Sequence, residues 1–158
     1  MAEEVSIRAA HSGDAAALAE LCGQLGYPTT SDTVAKQLPL LAAPHYGLFV
    51  AEQVQVIGWI VVQGKVSLHA GRFAEITGLV VDERHRGTGV GGRLLARAEA
   101  WASEHGYPQV WLRSNVKRNQ AHSFYQQHGY HLVKTSYTFQ KPLAVAADQG
   151  APVVASER

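Results

Sequence analysis

Four of the chain's fifteen glycines fall within six residues, Gly87-Thr88-Gly89-Val90-Gly91-Gly92, with Arg84, Arg86 and Arg93 on either side. Val90, Leu94, Leu95, Ala98, Trp101 and Ala102 recur at helical spacing, so the glycines open an amphipathic helix. Such a loop offers backbone N–H groups at the positive end of the helix dipole, which suits a phosphate or pyrophosphate. A surface turn that merely needs positive φ does not require so many glycines between arginines. Gly87, Gly89 and Gly92 also satisfy G-x-G-x-x-G, but in a dinucleotide fold the first glycine follows its strand almost at once and several βα units come after it. Here Asp82-Glu83-Arg84-His85-Arg86 intervenes and only one more strand–helix–strand unit remains. Arg113, near the ribose-reading position, is the one point favouring a nicotinamide-nucleotide oxidoreductase. No Gly-Lys-Ser/Thr ends the run, as a Walker loop demands.

Other chemistries find less support. The eight histidines lack metal-ligand spacing: His122 and His128 sit on different faces of one helix, and there is no H-E-x-x-H and no cysteine partner. No metal is expected. A serine-hydrolase elbow, G-x-S-x-G, is absent. The single Cys22 excludes an internal disulfide and fits a reducing compartment.

Arg84-His85-Arg86-Gly87-Thr88-Gly89 resembles the R/Q-x-x-G-x-G/A signature of the GNAT superfamily of N-acetyltransferases, whose loop holds the pyrophosphate of acetyl-CoA. Glu75 to Asp82 resembles the family's central strand. Arg113-Ser114-Asn115, then Arg118, Ala121-His122, Phe124-Tyr125 and Gly129-Tyr130, resembles its next strand–helix segment. The order of elements from Ile7 to about Leu143 fits the family. The resemblance implies acetyl-CoA as cosubstrate. It places the pantetheine arm along the backbone of Leu79, Val80 and Val81, and the pyrophosphate among Arg86, Gly87, Thr88, Gly89, Val90, Gly91 and Gly92. Asn115 and Asn119 are candidates for the pantetheine amides, with helix capping as the structural alternative.

Acetyl transfer to an amine needs a neutral nucleophile, a polarised thioester carbonyl and a proton for the departing thiolate. Tyr125 is the candidate acid, because a phenol stays protonated at neutral pH. Its spacing with Ala121, Phe124 and His128 is equally that of a core face. Glu75 is the candidate base, with a solvated strand carboxylate as the alternative; His122 and His45 are weaker candidates. Gly78 marks a strand bulge or a close approach to the backbone. Cys22 lies far from the motif, which argues for direct transfer without an acetyl-cysteine. Tyr27, His45, Tyr46 and Trp59 populate the region expected to meet the acceptor, a small-molecule or peptide amine.

These residues need elements to hold them. Val5 to Arg8 alternates as a strand, and Ser12-Gly13-Asp14 caps an Ala- and Leu-rich helix ending near Gly26. A second helix runs from Asp32 to Leu41, weakened by Pro39. Leu48 to Ala51, Gln55 to Val62 with an extension over Lys65 to His69, and Phe73 to Val81 read as antiparallel strands. The glycine-opened helix stops at His105-Gly106. Gln109 to Arg113 is a strand, Arg118 to His128 a helix, and Tyr130 to Lys141 a strand or bent pair of strands. The expected fold is α/β, a GNAT-like mixed and largely antiparallel sheet flanked by helices, in one domain over residues 1–143. The tail, residues 144–158, is expected to be flexible or docked elsewhere.

The whole composition fits that reading. With 158 residues, 14 Lys and Arg and 13 Asp and Glu, the chain is nearly neutral, with none of a nucleic-acid binder's basic excess. The acidic start, Met1-Ala2-Glu3-Glu4, is unlike a signal peptide, and no apolar run reaches membrane length. A cytoplasmic enzyme is expected, with neither nucleic acid nor membrane as partner and a homodimer left open. A non-catalytic acyl-CoA-binding module on the same fold is the alternative.

Overall fold

The computed structural model describes residues 3–144. The chain divides into two compact units, Met1–Arg113 and Ser114–Arg158. The first carries the sheet. Its elements are β1 (Ser6–Ala9), α1 (Ala15–Leu25), α2 (Ser31–Gln37), β2 (Tyr46–Gln53), β3 (Gln55–Ser67), β4 (Gly71–Val81), α3 (Val90–Glu104) and β5 (Val110–Leu112). The strands lie in the order β1-β2-β3-β4-β5, antiparallel except for the parallel pair β4 and β5. This is the mixed, largely antiparallel sheet expected.

Alternation along the strands divides the core into two layers. Val50, Trp59, Val61 and Val80 point to one face, where they pack with Leu18 and Leu21 of α1 and Val34 of α2. Residues of the opposite parity meet α3: a Cβ on Gly47 would lie 3.1 Å from the Trp101 ring, and one on Gly58 3.1 Å from Leu94. All six apolar positions of the α3 stripe are buried, Leu94 and Ala98 completely. α1 ends at Gly26, whose φ of 102° lets its N–H reach the carbonyls of Cys22 and Gly23. Thr30 caps α2 by accepting from the Thr33 N–H at 3.1 Å. The helix expected to reach Leu41 stops at Gln37, and a separate 3-10 turn, Leu40–Ala42, follows Pro39. Proline lacks the N–H that would have carried the helix on.

Asp14 stands at the N-cap of α1, but its side chain makes no cap hydrogen bond to that helix. Its carboxylate takes both terminal nitrogens of Arg8 at 2.9 Å and the His11 N–H at 2.9 Å, while Arg8 also holds Glu52 at 2.8 Å. The buried carboxylate ties β1, α1 and β2 together.

The second unit holds α4 (Asn119–Gln127), ended by Gly129 at a φ of 89°. Residues 130–144 follow with no regular secondary structure. The strand expected over Tyr130 to Lys141 is therefore not formed. Its alternation is real, but a strand exists only where a partner completes its hydrogen-bond ladder, and none of the described strands pairs with it. Beyond Ala144, the expected tail lies outside the described residues.

Candidate active site

β4 is paired on both sides only over Ala74–Ile76. β5 runs beside Ala74, Glu75 and Ile76 and goes no further, so no described strand covers the outer edge from Thr77 to Val81. On the inner side the register with β3 slips between Val61 and Val62, which face Gly78 and Ile76. Thr77 is the extra residue. The bulge thus sits one position before Gly78, and Gly78 is the close approach: a Cβ there would lie 2.5 Å from the Trp59 ring.

One hydrogen bond sets the phase of this strand. The Asp82 N–H donates to the Ile57 carbonyl at 2.7 Å. Hydrogen-bonded pairs alternate in an antiparallel ladder, so Val80 bonds to Trp59 while Leu79 and Val81 turn their N–H and C=O groups to the open edge. Arg86 confirms it, donating from Nε to the Val81 carbonyl at 3.1 Å. The Val80 side chain is core; Leu79 and Val81 are half-buried.

The open edge runs into the glycine loop. Gly87 and Gly89 hold φ of 78° and 88°, conformations that exclude most side chains, and a Cβ on either would meet open space. The first helical bond of α3 is from the Arg93 N–H to the Gly89 carbonyl at 3.2 Å. The N–H groups of Gly89, Val90, Gly91 and Gly92 therefore precede the ladder and have no acceptor among the described residues. The arginines differ in their commitments. Arg84 is folded onto buried Asp82, which its guanidinium and backbone N–H hold down to about 2. Arg93 donates to the Val5 carbonyl at 2.6 Å. Arg86 donates through Nε to Val81, and its terminal nitrogens have no partner among the described residues.

Glu75 lies two residues before the bulge. It is 6% exposed, paired with Lys65 at Oε2, and has Arg113 Nε 3.1 Å from Oε1. The Arg113 contact is off the hydrogen-bonding direction, so Oε1 is buried without a donor. Trp59 Nε1 is also buried without a partner among the described residues. The sequence singled out Glu75 and Trp59, and Arg113 only for a nucleotide ribose and the family-like segment; that Lys65 and Arg113 meet at Glu75 emerges only from the β3–β4–β5 register. On the neighbouring strand Gln63 donates to the Tyr46 hydroxyl at 3.1 Å, and the Tyr46 ring packs on His45.

In the second unit Tyr125 sits in an aromatic group with Phe124 and Tyr130, and burial pushes its phenol up. Asn115 caps its own turn, accepting from the Lys117 N–H at 2.9 Å, while its carbonyl meets the His122 ring at 2.8 Å. Asn115 thus closes a local turn and does not cap α4, whose N-cap is Arg118 with no side-chain cap. Asn119 is the exposed first residue of α4. In the first unit, Cys22 packs beside the α1 core, and burial pushes its thiol up.

Residues 15–130 match the model of the Acetyltransferase (GNAT) family. The chain belongs to the GNAT family. It is an acetyl-CoA-dependent acyltransferase. This GNAT chain is 36% identical over 124 residues, 78% of each chain, to an aminoalkylphosphonate N-acetyltransferase of Salmonella typhimurium. It is 28% identical over 154 residues, 93% of this chain and 99% of the other, to an aminoglycoside N(6')-acetyltransferase of Stenotrophomonas maltophilia. Among solved structures it resembles in fold an aminoglycoside N-acetyltransferase in complex with CoA, at a TM-score of 0.81, 17% identity and coverage of 90% and 98%. No described helix is long and apolar enough to cross a membrane, and the described residues contain no group of three or more His, Cys, Asp or Glu placed to hold a metal. A cavity of about 560 Å³ opens in the first unit against Leu38, Leu41, Leu48 and Trp101; it is lined by Tyr46, one of the residues expected near the acceptor, but by none of the expected catalytic or cofactor-binding residues.

Proposed function

We propose that this GNAT enzyme transfers the acetyl group of acetyl-CoA directly to the amine of a small molecule. The observation that carries the proposal is two stretches of backbone groups without partners among the described residues, the N–H and C=O of Leu79 with the N–H of Val81 on the open β4 edge, and the N–H groups of Gly89 to Gly92 at the start of α3. An extended amide chain pairs with the first stretch, and a pyrophosphate with the second. Arg86, Gly87 and Thr88 complete the phosphate site. Asn119 and Asn115 are the candidates for the pantetheine amides, Asn115 through its amide N–H groups because its Oδ1 accepts from the Lys117 N–H.

In the reaction the amine nitrogen bonds to the thioester carbonyl carbon, the carbon–sulfur bond breaks, and CoA leaves as a thiolate. Tyr125 gives the thiolate its proton, and the nitrogen loses one toward Glu75, directly or through water. The raised phenol of Tyr125 remains protonated throughout the neutral range. The relatives named above act on an aminoalkylphosphonate and on aminoglycosides, both small-molecule amines. Thermal shift and thiol release test the proposal together. Acetyl-CoA and CoA should raise Tm while NADPH does not, and an amine panel should release CoA thiol. Binding without thiol release from any amine would make the protein an acyl-CoA-binding module, and a response to NADPH alone would overturn the proposal.

A further inference from the structure

From the Lys65–Glu75–Arg113 cluster we infer that the acceptor is an amine bearing an oxyanion, and that Arg113 makes this selection by covering the carboxylate that receives the amine. The inference rests on the acetyltransfer reading above and names its substrate class. Two cations surround one carboxylate, so the cluster has a surplus positive charge. Lys65 is 36% exposed and Arg113 69%, which puts that charge at the surface, while Glu75 between them is buried. A site for a polycation would have the opposite balance, because like charges repel an incoming ammonium.

The two cations are held differently. Lys65 is bonded to Oε2. Arg113 lies over Oε1 through Nε alone and makes no hydrogen bond to it. The terminal nitrogens of Arg113 have no partner among the described residues. A planar fork of that kind takes a carboxylate, phosphonate or sulfonate in two parallel hydrogen bonds, better than a lysine does. Oε1, for its part, lacks a donor, and a buried carboxylate oxygen left so is costly. An amine bearing an oxyanion satisfies both at once. Its anion draws the Arg113 fork outward, which uncovers Oε1, and its nitrogen then donates to Oε1. That puts the nitrogen two residues from the Thr77 bulge, about 7 Å along the strand at its ordinary rise. A neutral amine leaves Arg113 in place, and a diamine brings a second positive charge to a site already positive.

The test compares aminoethylphosphonate and β-alanine with ethanolamine and diaminopropane by kcat/KM on the full chain with saturating acetyl-CoA. The anionic amines should exceed the other two at least about tenfold, as expected for a charge-assisted bidentate contact. Arg113→Gln should collapse that ratio several-fold, chiefly through KM of the anionic amines. Arg113 is exposed, so folding should survive, and circular dichroism checks it. Lys65→Gln provides a second variant, expected to lower the same ratio. Equal or better turnover of ethanolamine or diaminopropane, or an unchanged ratio in Arg113→Gln, would overturn the inference and leave the acetyltransfer reading standing. Thiol release from none of the four, nor from a wider amine panel, would overturn both.

Discussion

Replacing Gly78 by alanine puts a methyl group 2.5 and 2.6 Å from two atoms at the far end of the Trp59 ring. Trp59 is 8% exposed and packed in the α1 layer, so the ring has no free space to enter. Overpacking of this kind costs about 1–3 kcal/mol. At about 2–4 °C per kcal/mol for a domain of this size, Tm should fall by about 2–12 °C. The contact atoms belong to the six-membered part of the indole, so Trp59→Phe withdraws them and also removes the buried, unpartnered Nε1. Trp59→Phe alone should cost less than the roughly 3–5 kcal/mol of a full truncation to alanine. The two changes should not add. With Phe at position 59 the alanine methyl has space, and the double variant should recover about 0.5–3 kcal/mol relative to the sum of the single losses. Urea unfolding of the four proteins gives the cycle. Strict additivity would show that Trp59 is not the reason for glycine at 78.

Other variants test the remaining links. Tyr125→Phe should retain CoA binding by thermal shift and lose thiol release by about 100-fold or more, the scale of a general-acid contribution; normal turnover would make Tyr125 structural. Gly89→Ala places a side chain at a φ of 88° in open space, so it should cost about 1–2 kcal/mol in strain without steric clash and weaken stabilisation by CoA. Asp82 is lowered from 3.8 to about 2, mainly by its hydrogen bonds from Arg84. A depressed carboxylate gives stability that is fully present above its unfolded value and is lost as pH falls through the folded one. The wild type should therefore lose this contribution between about pH 4 and pH 2, and Arg84→Gln should shift the acid transition to higher pH in a Tm-versus-pH series.

Local pattern made much of the molecule legible in advance. The α3 stripe from Val90 to Ala102 was readable because helical periodicity marks a buried face without reference to any other element. Pro39 was read as weakening the second helix but not as ending it at Gln37, whereas the glycine loop showed its N–H groups through residue type alone. What escaped was long-range. Arg8 finds Asp14 and Glu52, and Lys65 and Arg113 converge on Glu75, only after the strand register is set. Gly78 reads from sequence as a bulge or a close approach to the backbone; the register puts the bulge at Thr77, and Gly78 is the close approach, of the Trp59 ring. Tyr130 to Lys141 shows the limit of alternation, which describes a strand's faces but supplies no partner.

The central claim is direct transfer of acetyl from CoA to an amine at the β4 edge. Initial rates measured while acetyl-CoA and the best amine are both varied test it most directly. Direct transfer gives intersecting double-reciprocal lines, the pattern of a reaction through a ternary complex, with acetylated amine formed in step with CoA. Parallel lines, together with an acetyl group on Cys22 by intact mass when the amine is withheld, would contradict it.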